Sequence, residues 1–145
     1  MGKSYQADVP GNYFHQVFTN ASVASGTDAL VASQAFIAPN NIKVKRAWYV
    51  PWADDATEGT ATTSATYRRV NLLNGGTSGT GTTIVASCNI TASVGSQTSK
   101  AFTTTSNNTV TSGGILYFSA LTVGGDNDDG TILQSGVLEI EYELL

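Results

Sequence analysis

Residues 136–145 read GVLEIEYELL, and this stretch decides the fold. Leu138, Ile140, Tyr142 and Leu144 share one parity, and three glutamates occupy the other. Because successive side chains of a strand point to opposite faces, the run predicts a strand with four apolar residues on a core and three carboxylates in water. A helix would scatter the same residues around its circumference, so the period of two favours a strand.

The rest of the chain repeats this pattern between turn signals, such as Pro39-Asn40-Asn41 and the glycine-dense residues 74–81. No stretch of helical periodicity is longer than two turns. We therefore predict an all-β fold, an antiparallel β-sandwich and specifically a jelly roll of about eight strands. An up-and-down barrel is the alternative. The terminal stretch at 136–145 is one of the predicted strands. The other seven cover residues 13–19, 29–38, 42–52, 63–73, 83–91, 99–105 and 115–123.

The length of 145 residues predicts one domain. Residues 1–12 are polar and interrupted by Pro10-Gly11, which predicts a short N-terminal arm. Residues 13–145 then form the single β-sandwich domain.

Charge and cysteine content narrow the function classes. The net charge of −4 argues against a nucleic-acid partner, which would require a basic face. The basic clusters 43–46 and 68–69 are interpreted as solvated strand residues or ion-pair partners. A single cysteine excludes an internal disulfide. No apolar run has the length of a signal peptide or a membrane span, so we expect a soluble protein with no membrane partner, made in a reducing cytoplasm.

Few residues could perform catalysis, so we expect no enzyme and no cofactor. His15 is the only histidine, and Cys88 lies in an apolar alternation typical of a small buried residue. Asp126–Asp129 cluster oxygens of the kind that calcium prefers, but they lack the ligand spacing of an EF-hand. A solvated turn is the favoured interpretation there, and a metal is even less expected at the acidic residues 54–58.

Trp48, Tyr49 and Trp52 form an aromatic cluster. Trp48 and Trp52 share parity with Ile42 and Val44, which favours positions in the sandwich core. Tyr49 has the opposite parity and is predicted at the surface. The alternative is a sugar-stacking or protein-binding platform, for which Tyr49 and Trp52 are the candidate surface contacts.

Three segments carry a resemblance to a known class of proteins. They are LLNGGTSGTGTTIVAS at 72–87, TVTSGGIL at 109–116 and VLEIEY at 137–142. In style and order they resemble small virion proteins of tailed bacteriophages, and among these the head decoration, or cement, proteins. The likeness extends over residues 42–145.

The resemblance implies a β-sandwich that assembles, often as a homotrimer, on the outer face of the phage head after synthesis in the host cytoplasm. Its partner there would be the major capsid protein. The arm could pair with a neighbour's sheet edge, with Tyr5, Val9, Pro10 and Tyr13 as candidate contacts. Two alternatives remain: another virion part, such as a fibre, spike or tail component, and a carbohydrate-binding module.

Overall fold

A computed structural model describes residues 13–20, 29–30, 35–52, 67–90, 98–123 and 134–145. Within these ranges the chain forms strands and turns, with no helix, so the all-β prediction is confirmed. The predicted arm at 1–12, with Tyr5, Val9 and Pro10, lies outside the described residues. The same holds for the acidic loops at 54–58 and 126–129.

The described residues form eleven strands. Their bounds are β1 Tyr13–Asn20, β2 Ala29–Leu30, β3 Phe36–Ile37, β4 Ile42–Pro51, β5 Tyr67–Asn74, β6 Thr83–Ile90, β7 Lys100–Ala101, β8 Thr103–Thr104, β9 Thr109–Val110, β10 Ile115–Val123 and β11 Gly136–Leu144.

The strands form two antiparallel sheets. The five-stranded sheet has the order β1-β11-β4-β7, and β9 also pairs with β4. The six-stranded sheet has the order β2-β10-β5-β6-β8, and β3 also pairs with β10. The antiparallel sandwich is therefore confirmed. The up-and-down barrel is wrong, because that fold pairs consecutive strands whereas β11 lies between β1 and β4.

Aromatic side chains hold the two sheets together. The ring of Phe18 in β1 meets that of Phe118 in β10 edge-on, with centroids 5.5 Å apart. The ring centroids of Phe36 in β3 and Tyr142 in β11 are 5.2 Å apart, and those of Phe102 and Phe118 are 5.7 Å apart. Aliphatic side chains from both sheets fill the remaining core and are fully buried, among them Ile42, Val44, Val70, Leu72, Ile90, Leu116, Leu138 and Ile140.

Strand β11 largely follows its sequence pattern. Leu138, Ile140 and Tyr142 are buried in the core, as predicted. Leu144 is 43% exposed, so its predicted core position is wrong. It is the last residue of the strand, where the pairing with β4 ends. Glu141 was predicted in water, but it is only 8% exposed because side chains of the neighbouring strands cover it.

A β-bulge in β4 reverses the predicted orientation of its aromatic residues. Tyr142 pairs with Val44 and Glu141 pairs with Arg46, which leaves Lys45 as the extra residue. One inserted residue moves every later side chain to the opposite face. Residues 47, 49 and 51 consequently face the core, and residues 48 and 50 face outward, half-buried. The predictions of a buried Trp48 and a surface Tyr49 are both wrong for this reason. The predicted core position of Trp52 is wrong as well, because its side chain is 55% exposed just after the end of β4.

Other segments differ from the prediction in detail. The predicted strand at 29–38 appears as β2 and β3, which both pair with β10. The predicted strand at 99–105 passes from one sheet to the other, since β7 pairs with β4 and β8 pairs with β6. Phe102 lies at this crossing and is buried. Arg68 is fully buried, so the interpretation as a solvated residue is wrong for it.

The glycine-dense turn is confirmed. Gly76 and Gly79 have φ angles of 64° and 75°, a left-handed conformation that glycine adopts without the steric cost of a Cβ. The amide of Gly81 donates to the carbonyl of Gly75 at 2.9 Å. This turn connects β5 to β6 and keeps the two strands adjacent.

Candidate functional site

The outer face of the five-stranded sheet carries a ladder of opposite charges. Its central row comes from β11, whose glutamates point away from the core. Basic side chains of β4 flank this row on one side, and His15 of β1 flanks it on the other. We call this set the charged face; it consists of His15, Lys45, Arg46, Glu139, Glu141 and Glu143.

His15 lies between two carboxylates. Its Nδ1 is 2.6 Å from Oε1 of Glu139, and its Nε2 is 3.6 Å from Oε2 of Glu141. On the other side, Nε of Arg46 lies 3.7 Å from Oε1 of Glu141. Nζ of Lys45 lies 3.4 Å from Oε1 of Glu143. These cross-strand pairs orient the side chains, and Lys45 and Arg46 offset part of the negative charge of the acidic row, although exposed pairs contribute little to stability.

The contacts of His15 do not form a nucleophile–base pair. One ring nitrogen meets Glu139 and the other faces Glu141, and within the described residues no hydroxyl or thiol hydrogen-bonds to the ring. Nucleophilic catalysis by a histidine base requires such a contact.

A shallow hollow of about 230 Å³ adjoins the charged face. Trp48 and Val50 supply its apolar wall, and His15, Glu139 and Ser99 supply polar groups. An aromatic ring beside a carboxylate and an imidazole could hold a small polar molecule by stacking and hydrogen bonding. The sequence pattern does not predict this hollow, because simple alternation places Trp48 in the core and only the bulge at Lys45 turns it outward.

Strand β1 forms a long edge of the five-stranded sheet. It pairs with β11 along all eight residues, and no described strand pairs with its other edge. The strand contains no lysine, proline, aspartate or glutamate, the residues that commonly protect an edge against further pairing. Tyr13 and Val17 are 46% and 51% exposed. Among the described residues, this edge is therefore left open for main-chain pairing.

The predicted aromatic contacts occupy different environments. Tyr49 is fully buried, and its hydroxyl donates to the carbonyl of Gln134 at 2.9 Å, so it cannot serve as a surface contact. Trp52 is 55% exposed beyond the end of β4. Tyr13 lies exposed at the start of β1, whereas Tyr5, Val9 and Pro10 lie outside the described ranges.

Other predicted features are now placed. Cys88 is buried in the core, as predicted. The part of the chain that the structure describes holds no group of three His, Cys, Asp or Glu side chains able to bind a metal ion. It also contains no helix of the length and apolarity needed to cross a membrane.

Comparisons of the chain with protein-family models, with curated proteins and with solved structures gave no match.

Proposed function

We propose that this protein is a structural component of a bacteriophage virion, a decoration protein that binds the outside of the head. In this role it stabilises contacts between subunits of the major capsid protein, and it assembles with itself, with a trimer favoured. The observation that carries the proposal is the open edge of β1. The sequence resemblance over residues 42–145 supplies the class of particle.

An open edge strand provides affinity without specialised side chains. Each pairing strand contributes main-chain hydrogen bonds, and the alternate side chains then select the partner. The eight residues of β1 offer a longer edge than the two-residue strands β2 and β8 at the borders of the other sheet. Residues 1–12, the predicted arm, directly precede β1 in the sequence, and we propose that they extend the same contact with a neighbour.

We infer a jelly-roll topology from the order of the strands. In a jelly roll, Greek-key connections carry the chain back and forth between two packed sheets, and viral capsid domains use this fold. Here β4 lies in the five-stranded sheet, β5 and β6 in the other, β10 in that same second sheet, and β11 again in the first. This alternation supports the inference and the assignment to a virion.

The test places a charge on the edge that should pair. Val17 is half exposed on β1, and a lysine there is the device by which natural edge strands resist pairing. We expect Val17→Lys to co-sediment with purified empty phage heads roughly tenfold more weakly, a loss of about 1.4 kcal/mol. The matched control Val17→Thr keeps a β-branched residue and should bind as the original protein does.

Light scattering of both variants measures self-assembly in the same samples. Equal binding of the Lys and Thr variants to heads would contradict the role of the β1 edge. Absence of binding by the unaltered protein would contradict head decoration itself. Binding to isolated tails instead of heads would assign the protein to a fibre, spike or tail.

A carbohydrate-binding role is the second candidate, and the hollow beside Trp48 favours it. The exposed part of the Trp48 ring, with Glu139 and His15 next to it, offers stacking and hydrogen bonding in one place. A glycan array probes this role directly. Signals that disappear in Trp48→Ala but persist in Trp52→Ala would establish it, and a blank array would remove it.

A further inference from the structure

A polar hollow lies where the chain crosses from the five-stranded sheet to the six-stranded sheet. Strand β8 pairs with β6 only at Ala86 and Ser87, whereas β6 continues to Ile90. Because β7 belongs to the other sheet, the two segments diverge beyond Ser87. The hollow between them has a volume of about 250 Å³ and is lined by Ser87, Cys88, Asn89, Lys100, Ala101 and Thr103.

The polar side chains of this hollow are within reach of solvent and carry hydrogen-bond donors. Asn89 and Thr103 are exposed, and Ser87 and Lys100 are half-buried. The ammonium and the amide group supply donors, and each of the two hydroxyls can supply one more. None of the lining residues is an aspartate or a glutamate. The hollow therefore favours a ligand that is rich in acceptors.

Arg69 fixes which side of the Asn89 amide is left for a ligand. Its Nε donates to Oδ1 of Asn89 at 3.1 Å, across the pairing of β5 with β6. Arginine has no acceptor, so this contact uses the carbonyl oxygen of Asn89 and leaves the NH₂ group. The guanidinium is held in turn by Tyr67, whose hydroxyl accepts from Nη2 at 2.7 Å and whose ring centroid lies 5.6 Å from Cζ.

The positive charge beside the hollow has no acidic counterpart. The ion pairs among the described residues involve only basic side chains of the charged face, and they include neither Lys100 nor Arg69. Lys100 lines the hollow, and Arg69 is hydrogen-bonded to a residue that lines it. In a chain with a net charge of −4, two such cations at one place favour an anionic ligand.

We propose that this hollow binds a phosphate group. The ammonium of Lys100 contacts one phosphate oxygen, and the amide of Asn89 and the hydroxyls of Ser87 and Thr103 donate to the others. A phosphate group presents at least three strong acceptor oxygens, whereas a carboxylate presents two, so phosphate satisfies more of the donors gathered here. Hydrogen bonds in which both groups are charged, as between Lys100 and phosphate, are the strongest of this set.

The experiment follows the labelled full-length protein by NMR while sodium phosphate replaces sodium chloride at constant ionic strength. We expect saturable shifts of the amides of residues 87–89 and 100–103 and of the Asn89 side-chain amide, with a dissociation constant of roughly 1 mM. Acetate is the matched ligand with fewer acceptors and should bind about tenfold more weakly or less. Methyl phosphate is titrated alongside, and the tighter of the two phosphates shows whether the site takes the free ion or an ester.

Two variants test the donors, and a third controls for net charge. Lys100→Gln removes the lining cation and should weaken phosphate binding about tenfold. Lys43→Gln changes the net charge equally near the start of β4, whereas Lys100 pairs with Tyr49 near its end, so this control should bind normally. Asn89→Asp keeps the contact with Arg69 but replaces the donor side by a carboxylate. It should abolish the shifts while the urea midpoint stays close to that of the original protein.

Several outcomes would overturn the proposal. Absence of saturable shifts with both phosphates would show that the donors are merely hydrated, and equal affinity for acetate would show that no phosphate group is selected. Equal effects of Lys100→Gln and Lys43→Gln would show that only the net charge matters. This pair of variants decides the question if Asn89→Asp does not fold. None of these results bears on head binding, which depends on the β1 edge of the other sheet.

Discussion

Ile140 illustrates how strongly a single core position depends on its chemistry. It is fully buried in β11 between Gln16 of β1 and Ala47 of β4. Replacement by aspartate would place an unpaired carboxylate among apolar side chains and remove packed methyl groups. We expect Ile140→Asp to lower the free energy of unfolding by roughly 3–5 kcal/mol, measured by urea denaturation.

Val137 provides the matched control for that substitution. It lies on the same strand but faces outward and is only half-buried. Val137→Asp introduces the same group where water can solvate it, so its effect should stay within about 1 kcal/mol. Similar losses in the two variants would contradict the assignment of the two faces of β11.

Tyr142 makes stability sensitive to alkaline pH. Burial raises the pKa of its phenol above the ordinary value of 10.0. Above pH 10 the unfolded chain therefore releases the phenolic proton while the folded chain retains it, which favours unfolding. The contribution to stability is constant below the unfolded pKa and declines as the pH rises from there towards the folded pKa.

The comparison with Tyr142→Phe isolates this effect from the titration of other groups. The phenylalanine ring can still stack on Phe14, whose centroid lies 5.6 Å from that of Tyr142. We expect the urea midpoint of the original protein to fall faster than that of the variant between about pH 9 and pH 11. Parallel curves would show that the phenol ionises alike in both states.

In strand β4, one inserted residue decides which side chains face the core. The bulge at Lys45 turns Tyr49 into the core and Trp48 outward. Deletion of Lys45 would remove the bulge and restore simple alternation along β4. Either the pairing register with β11 would then shift by one residue, or the side chains on one side of the deletion would turn to the opposite face of the sheet. We expect this deletion to cost about 3 kcal/mol or more in the free energy of unfolding, because the core contacts of Tyr49 are lost.

Lys45→Ala is the control, since it keeps the extra residue and removes only the side chain. Its contact with Glu143, at 3.4 Å, is partly exposed and should contribute less than about 1 kcal/mol. Tryptophan fluorescence adds a second measurement, because Trp48 should change environment on deletion and not on substitution. If the deletion lowers the free energy of unfolding no more than the substitution does, either face of β4 can pack against the core.

The same strand shows where sequence reasoning reaches its limit. In β11 three glutamates mark one parity as the outer face, so the sequence identifies the face that packs in the core. In β4 both parities are apolar after Arg46, since Trp48 and Val50 alternate with Ala47 and Tyr49. The bulge at Lys45 is set by the pairing with β11, and this pairing decides which face is buried.

At the scale of the whole molecule, long-range pairing assembles the candidate site. His15 and Glu139 are separated by 124 positions and meet only because β1 pairs with β11. The turn signals predicted about eight strands, whereas the described residues contain eleven, and the long strands lie close to their predicted bounds. They contain no information about which strands become neighbours, so the charged face and both hollows could not be predicted from the sequence.

The last prediction concerns the arm and the domain as a whole. We expect deletion of residues 1–12, the predicted arm, to leave the melting temperature nearly unchanged in calorimetry. Phe14 and Phe18 of β1, which pack in the core, remain in the truncated protein. If the arm and β1 together pair with a neighbour, the same deletion should weaken co-sedimentation with phage heads, because fewer main-chain hydrogen bonds form. Combining the deletion with Val17→Lys should weaken binding further than either change alone.

Unchanged head affinity of the truncated protein would contradict a role for the arm, and a lower melting temperature would show that the arm belongs to the folded domain.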